Sequence, residues 1–280
     1  MCNVLYVNKP AGISSFDVCF RLRKILKTKK IGHTGTLDPN ATGVMIILFD
    51  KATKANQFLV TDRKEYLARV LLGVKTDTLD IDGKIIEERE YVLPEKEEIE
   101  AALAGFLGES MQEVPITSAV SVNGKRLYRY QIEGKEVELP LRKIEVYDIG
   151  LVQMHEDGFS FACTVSSGTY VRALVRDILA KTNLTGTLSA LQRTAVDDVR
   201  IGDCDTLEEI MNGNFQRHAL LDLLKKRYVV FEDFDEADVL NGKKLRIDSD
   251  AARLLMVKDC KALAIYEKDG AFYRCQRGLW

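Results

Sequence analysis

At 280 residues, 46% of them apolar and with a formal net charge of −2, the chain suits one large globular domain plus a small one. No apolar run approaches the roughly 20 residues of a membrane span, and the N-terminus lacks the charged-then-apolar pattern of a signal peptide, so a cytoplasmic protein without membrane association is expected. Cys2, Cys19, Cys163, Cys204, Cys260 and Cys275 are scattered, with no CxxC pair and no grouping with the three histidines; buried free thiols are expected and a structural zinc site is not.

Val4-Leu-Tyr-Val7 reads as a short strand. Ser15 is the expected N-cap of a helix, with Asp17 in the first turn, where the helix dipole favours an acid. Val18, Leu22, Ile25 and Leu26 fall on one face of that helix, and bases gather at its C-terminal end. Residues 1–30 carry seven bases against one acid, whereas residues 86–113 carry nine acids against two bases. One surface can therefore be basic although the whole is nearly neutral, and local potential steers an RNA backbone. The same pattern also suits a merely solvated helix face.

Ile31-Gly-His-Thr-Gly-Thr-Leu-Asp-Pro-Asn-Ala-Thr-Gly43 places one carboxylate, Asp38, between glycine-rich turns and before a proline. Pro39 fixes its own φ and biases Asp38 away from helix. Val44-Met-Ile-Ile-Leu-Phe49 follows and reads as a buried strand. A lone Asp-Pro suits an Asx turn; the thirteen-residue setting favours an acid positioned for chemistry.

Further along, Tyr66–Leu72 reads as a strand and Pro94 opens an acidic helix to about Leu107. Ile144–Val152 and Phe159–Val165 read as strands joined by a turn at Glu156-Asp-Gly158. Tyr170–Lys181 reads as a helix with Val171, Leu174, Val175 and Ile178 on its apolar face. Strands mixed with separated helices indicate an α+β domain around a largely antiparallel sheet. After about Lys226 short strand candidates follow at Tyr228–Phe231, Leu254–Val257, Leu263–Tyr266 and Phe272–Cys275. Two domains are expected, 1–226 and a small β-rich 227–280. Trp280 suits core packing as well as an RNA contact.

Several segments together resemble the bacterial tRNA pseudouridine-55 synthases of the TruB family. Asn8-Lys-Pro-Ala-Gly-Ile-Ser-Ser15 resembles the family's first motif, and the Asp38 loop resembles its catalytic-aspartate motif. Arg63-Lys-Glu-Tyr66 and Gly73-Val-Lys-Thr-Asp-Thr-Leu-Asp-Ile-Asp-Gly83 resemble the tyrosine motif and the acidic loop after it. Ser166-Ser-Gly-Thr-Tyr-Val-Arg172 resembles the arginine motif, and Leu191-Gln-Arg-Thr-Ala-Val196 the last core segment. Order and spacing agree from near residue 3 to near residue 225, which is far more specific than one short pattern. The resemblance implies a mixed, largely antiparallel pseudouridine-synthase sheet with a central cleft. The tail resembles the family's PUA-type RNA-binding module, with Leu240-Asn-Gly-Lys-Lys-Leu245 as its landmark.

The implied reaction breaks the N1–C1′ bond of a uridine and rejoins the ring through C5. It is redox-neutral, so no metal or other cofactor is expected. It needs a carboxylate as nucleophile or base, and the resemblance gives that role to Asp38. Arg172 is the candidate partner, because a guanidinium fork can orient a carboxylate; an ordinary structural ion pair is compatible with that role. The resemblance sets Tyr66 against the extracted uracil, and Asp80 in an electrostatic network with Arg172. It sets Tyr170 as a buttress, His33 in the gap left by the flipped nucleotide, and Leu191 among the substrate contacts. Lys9, Arg21, Arg23, Lys24 and Arg126 are phosphate candidates on charge alone.

The expected function is isomerisation of uridine 55 in the T-loop of tRNA, by a monomer with no obligate protein partner. A non-catalytic tRNA-binding or folding module on the same scaffold is the alternative; joint retention of Asp38, Tyr66, Asp80 and Arg172 argues against it. A carboxylate glycosidase would need a second acid placed as specifically as Asp38. The guide-RNA relatives share the motifs, but no basic tail suggests such an assembly.

Overall fold

The computed structural model describes residues 3–59 and 63–280. Cys2 lies outside the described residues. The chain divides into two compact units, one made of Met1–Pro39, Val44–Val60 and Gly202–Trp280, the other of Asn40–Gly43 and Thr61–Ile201.

The first unit begins with β1 (Val4–Lys9), α1 (Ser15–Leu26) and β2 (Ile31–His33), and takes most of β3 (Thr42–Phe49). β3 is buried from Gly43 to Phe49, as an unbroken apolar run requires when both faces of a strand are covered. β2 pairs antiparallel with it, setting His33 opposite Ile47. Helix α1 corrects one expectation. Its N-cap is Ser14, not Ser15, and a capping box closes it: Ser14 Oγ accepts the Asp17 N–H at 3.1 Å, and the Asp17 carboxylate accepts the Ser14 N–H at 2.9 Å. Ser15 is already helical, and its hydroxyl is engaged elsewhere.

The second unit holds β4 (Arg63–Leu72), the hairpin β5 (Val74–Thr76) and β6 (Ile85–Glu88), α2 (Lys96–Ala104) and β7 (Gly108–Glu113). The short ribbon β8 (Ser121–Val122) and β9 (Lys125–Arg126) leads into α3 (Leu127–Ile132). Then come β10 (Leu141–His155), β11 (Gly158–Ser166), α4 (Val171–Lys181), β12 (Gly186–Val196) and β13 (Val199–Arg200). Strands run β12-β4-β11-β10-β7 with every neighbour antiparallel, and β7 is the last strand at that end. Tyr66, Ala68, Val70 and Leu72 alternate into the core from β4, the period-2 signature of a strand with one covered face. β12 also pairs in parallel with the start of β3, Gln192 to Thr42 and Arg193 to Gly43. There Gly43 has φ +106°, and a Cβ on it would lie 2.1 Å from the Arg193 carbonyl oxygen. Only glycine lets the two backbones approach so closely.

The chain then returns to the first unit. β14 (Asp205–Thr206) pairs in parallel with β1 and leads into α5 (Leu207–Met211), α6 (Leu220–Leu224) follows, and β15 (Val229–Phe231) opens the C-terminal sheet. α7 (Glu236–Leu240), β16 (Arg253–Lys258), β17 (Lys261–Asp269) and β18 (Phe272–Gly278) complete a sheet of order β15-β16-β17-β18. Val239, Leu254, Met256, Tyr266 and Tyr273 form its own core. The Tyr273 hydroxyl donates to the Ser249 carbonyl at 2.9 Å, which satisfies its polar tip. The expected boundary at 226/227 falls just before β15. It does not separate the two compact units, because the Tyr228 hydroxyl donates to the Phe58 carbonyl and Lys54 Nζ to the Trp280 carbonyl, at 2.8 and 2.5 Å. The Trp280 indole lies over Gly278.

None of the five described cysteines is in a disulfide; Cys19 and Cys163 are buried, Cys204 and Cys275 half-buried, and Cys260 exposed, contrary to its expected burial. Burial pushes the Cys163 thiol up to about 12, leaving it unreactive. No helix among the described residues is long and apolar enough to cross a membrane.

Gly43→Ala should destabilise the fold by roughly 3 kcal/mol or more, since it combines backbone strain with a backbone clash. Chemical denaturation of the variant beside wild type measures the loss; a difference under about 1 kcal/mol would mean that β3 and β12 can move apart freely.

Candidate active site

Asp38 is half-buried and lies in the irregular segment between β2 and β3. Around it is a set of backbone anchors, all from the stretch that runs from the last residue of β1 to the first of α1. On the upstream side, Ser15 Oγ accepts the Leu37 N–H and donates to the Leu37 carbonyl, each at 2.9 Å. On the downstream side, the Pro39 carbonyl accepts from Lys9 Nζ at 2.8 Å and from the Gly12 N–H at 3.0 Å. Lys9 Nζ also donates to the Pro10 carbonyl at 2.9 Å. The peptide before Asp38 and the one after Pro39 are therefore both tied down, and the motif around Lys9 and the motif around Asp38 form one structural element.

This geometry corrects the reading of Lys9 as a phosphate contact. Lys9 is 0% exposed. An ammonium is withdrawn from water only when carbonyls replace its hydration, and Lys9 has Pro10 and Pro39 for that. Of the other basic candidates, Arg21 and Lys24 are exposed on α1. Arg23 is half-buried with its guanidinium 5.6 Å from the Phe16 ring centroid, a cation–π distance. Arg126 is exposed on β9, with Nη1 bonded to the Ala119 carbonyl. His33 ends β2, five residues before Asp38, and is half-buried.

The second unit brings Arg172 and Asp80 together. Arg172, in the first turn of α4, is 4% exposed. Its Nη1 lies 3.4 Å from Asp80 Oδ2 and donates to the Thr78 carbonyl at 2.8 Å; Nη2 donates to the Thr117 carbonyl at 2.9 Å. Asp80 is itself braced, with Oδ1 accepting the Thr78 hydroxyl at 2.6 Å and the Asp82 N–H at 3.2 Å. A buried pair of this kind is strongly destabilised when one partner is removed. Tyr170, directly before α4, exchanges both backbone bonds with the Gln112 side chain, at 2.8 and 3.2 Å. Tyr66 is 7% exposed on β4, opposite Arg193 of β12 and Cys163 of β11. Leu191 is half-buried on β12 opposite Ala68. The chain passes from one unit to the other between Pro39 and Asn40, and Asn40 Nδ2 donates to Asp82 Oδ1 of the acidic loop.

Sequence reasoning missed Gln112, Thr117 and Arg193. Arg193 is 1% exposed, and no local pattern marks an arginine inside a strand as buried. Its neighbour Lys64 sits two residues before Tyr66, with Nζ 3.4 Å from the Ser167 hydroxyl. Burial first, and then the charge of Arg193, pushes the Lys64 ammonium down to about 8, while Asp197 acts in the opposite sense.

The TruB family pseudouridylate synthase N-terminal domain matches residues 23–171. A tRNA pseudouridine synthase B of Lactobacillus acidophilus is 36% identical over 287 residues, covering 97% of this chain and 96% of its own length. Another, of Caldanaerobacter subterraneus subsp. tengcongensis, is 42% identical over 246 residues, covering 87% and 86%. In three dimensions the fold is similar to a chain of a Cbf5-Nop10-Gar1 complex, with TM-score 0.71 and 21% identity over 100% of this chain and 85% of that one. The fold and the motifs are those of a pseudouridine synthase. The chain belongs to the TruB family.

Lys64→Met should raise thermal stability at neutral pH, because holding the charge in place costs free energy below the folded-state value of about 8. As pH rises from about 8 toward the ordinary lysine range, the wild-type group sheds its proton on folding and the advantage of the variant shrinks. Melting curves of both proteins between neutral and alkaline pH test this; a gain that stays constant with pH would contradict it.

Proposed function

We propose that this chain is a tRNA pseudouridine synthase that converts uridine 55 of the T-loop to pseudouridine, with Asp38 as the reacting carboxylate. The observation that carries this reading is the anchoring of the backbone at Leu37 and at Pro39, the residues that flank Asp38, within a chain that belongs to the TruB family. Preorganised groups act in the transition state without first being ordered.

In this reading the target uridine leaves the T-loop stack and enters the site. Its ring lies against Tyr66, which assists proton transfer at C5, and Leu191 contributes to the apolar wall. Asp38 acts on the base or sugar while the glycosidic bond breaks. Arg172, braced by Asp80, serves as the electrostatic partner of the reacting carboxylate. Tyr170 buttresses the arginine helix, and His33 fills the gap in the T-loop. Arg21 and Lys24 contact phosphates, Arg126 adds a further contact, and the sheet of residues 229–278 acts as a PUA-like RNA-binding module. The isomerisation is redox-neutral, and no cofactor is assigned. The enzyme works in the cytoplasm as a single chain.

Incubation of purified protein with unmodified tRNA transcript, followed by mapping of pseudouridine, tests the reading. Product at position 55 is expected; tRNA binding with no product would favour the non-catalytic alternative. Asp38→Asn should abolish turnover and leave tRNA affinity nearly unchanged, because it removes the carboxylate charge and little volume. Substantial single-turnover product from this variant would sink the assignment of Asp38.

Arg172→Lys should be severely impaired although charge is kept. An ammonium cannot reach Asp80 and the carbonyls of Thr78 and Thr117 in the plane of a fork. Each buried bond lost to a charged donor costs about 1.5–3 kcal/mol. Wild-type turnover by this variant would show that the fork is dispensable.

Rising salt should weaken tRNA affinity through counterion release. Replacing Arg21 and Lys24 by Glu should flatten that salt slope, whereas two charge reversals within residues 86–113 should not. Affinity titrations at several salt concentrations decide between them; equal slopes in both variants would place the RNA on another surface.

A further inference from the structure

The adjacent serines Ser14 and Ser15 have opposite engagements. Ser14 faces its own helix: it caps α1 and shares a capping box with Asp17. Ser15 faces away from it. Its hydroxyl is buried, 2% exposed, and reaches 22 residues along the chain to take both backbone groups of Leu37. Leu37 is itself buried and lies outside any strand, so its N–H and carbonyl have no ladder partners. Buried backbone groups without partners are strongly disfavoured. One hydroxyl, acting as donor and acceptor at once, satisfies both.

The Leu37 carbonyl belongs to the peptide whose nitrogen is that of Asp38. A peptide is planar. Fixing the carbonyl therefore fixes the plane from which the Asp38 Cα–Cβ bond departs. Two residues on, Lys9 and Gly12 hold the carbonyl of Pro39. Downstream, the aspartate has two anchors and a proline with restricted φ. Upstream, Ser15 is the anchor.

We propose that Ser15 is a positioning residue for the reaction, setting the direction of the Asp38 carboxylate through the Leu37–Asp38 peptide. The inference rests on the reading of Asp38 as the reacting carboxylate. Misplacement of a reacting group by about 1 Å can cost on the order of a hundredfold in rate. Loss of Ser15 Oγ frees the peptide without touching substrate, so the chemical step should suffer and binding should not.

Ser14 supplies the control. Ser14→Ala removes a helix cap, at a cost of about 1 kcal/mol, and leaves the Leu37 contacts in place. Full-length wild type, Ser14→Ala, Ser15→Ala, Ser15→Cys and Asp38→Asn are compared by single-turnover rate at saturating enzyme, tRNA affinity, melting temperature and amide exchange of the peptide spanning Leu37. Ser15→Ala should lose about ten- to a hundredfold in rate with affinity within about twofold of wild type. Its Leu37 amide should exchange faster. Ser14→Ala should lose stability alone, with its rate and its Leu37 amide unchanged. Ser15→Cys, nearly isosteric but with a weak thiol donor, should fall with Ser15→Ala. If Ser15→Ala fails to fold, Ser15→Cys carries the test. A wild-type rate in whichever Ser15 variant folds overturns the proposal, as does an equal rate loss in Ser14→Ala. Activity in Asp38→Asn removes the role of Ser15 together with the underlying reading, and a slowed Ser15 variant beside an active Asp38→Asn identifies that case.

Discussion

A carboxylate on an irregular segment can be aimed only if the backbone that flanks it cannot turn, and here that backbone is held by hydrogen bonds at Leu37 and Pro39 and by the fixed φ of the proline. The carbonyls of Leu37 and Pro39 and the Leu37 N–H are all claimed by three residues within Lys9–Ser15. The cost is considerable. An ammonium is buried at Lys9, and Gly12 adopts φ +81°, a region glycine enters without penalty. These seven residues run from the last residue of a strand to the first of a helix, so the end of β1 and the start of α1 are fixed by the same contacts. Neither motif has a complete set of backbone partners without the other.

Arg172 has a comparable place in the second unit. Its guanidinium joins α4 to the acidic loop at Thr78 and Asp80 and to the segment at Thr117, which lie 94 and 55 residues away in sequence. One fork-shaped donor thus replaces secondary structure as the link between three irregular pieces. The acidic loop is further tied to β12, where Ile81 and Leu188 donate to the carbonyls of Leu188 and Leu79 at 3.1 and 3.3 Å. These bonds hold Leu79 at φ +66°, a conformation a leucine seldom adopts unaided.

Much of this architecture was legible in the residue order. The apolar run Val44–Phe49, the start and end of α4 and the turn at Glu156-Asp157 all appear where periodicity and turn chemistry place them. The juxtaposition of Arg172 and Asp80 was likewise anticipated by the motifs. What escaped was set by distant partners. Strand β12 carries Gln192, Arg193 and Thr194 in succession, and reads as polar because its burial comes from both β3 and β4. Ser14 and Ser15 are equivalent as caps by composition; only the position of Leu37, 22 residues on, separates them. Lys9 looks like a surface base until the Pro39 carbonyl is in place. Gln112 likewise gains its meaning from the backbone of Tyr170.

Strand β7 stands last in its sheet, and among the described residues its outer edge has no strand partner. Glu109, Ser110 and Met111 are exposed there, Lys143 of the adjoining strand pairs with Glu109 at 2.7 Å, and Glu113 holds Arg176 at 2.9 Å. An open edge of this kind is a template for association between copies of a chain. Two copies meeting along it would have to strip water from Glu109 and Glu113 and from the Lys143 and Arg176 that pair with them. Charged side chains along an edge strand disfavour such pairing, a colloidal role independent of anything the molecule binds.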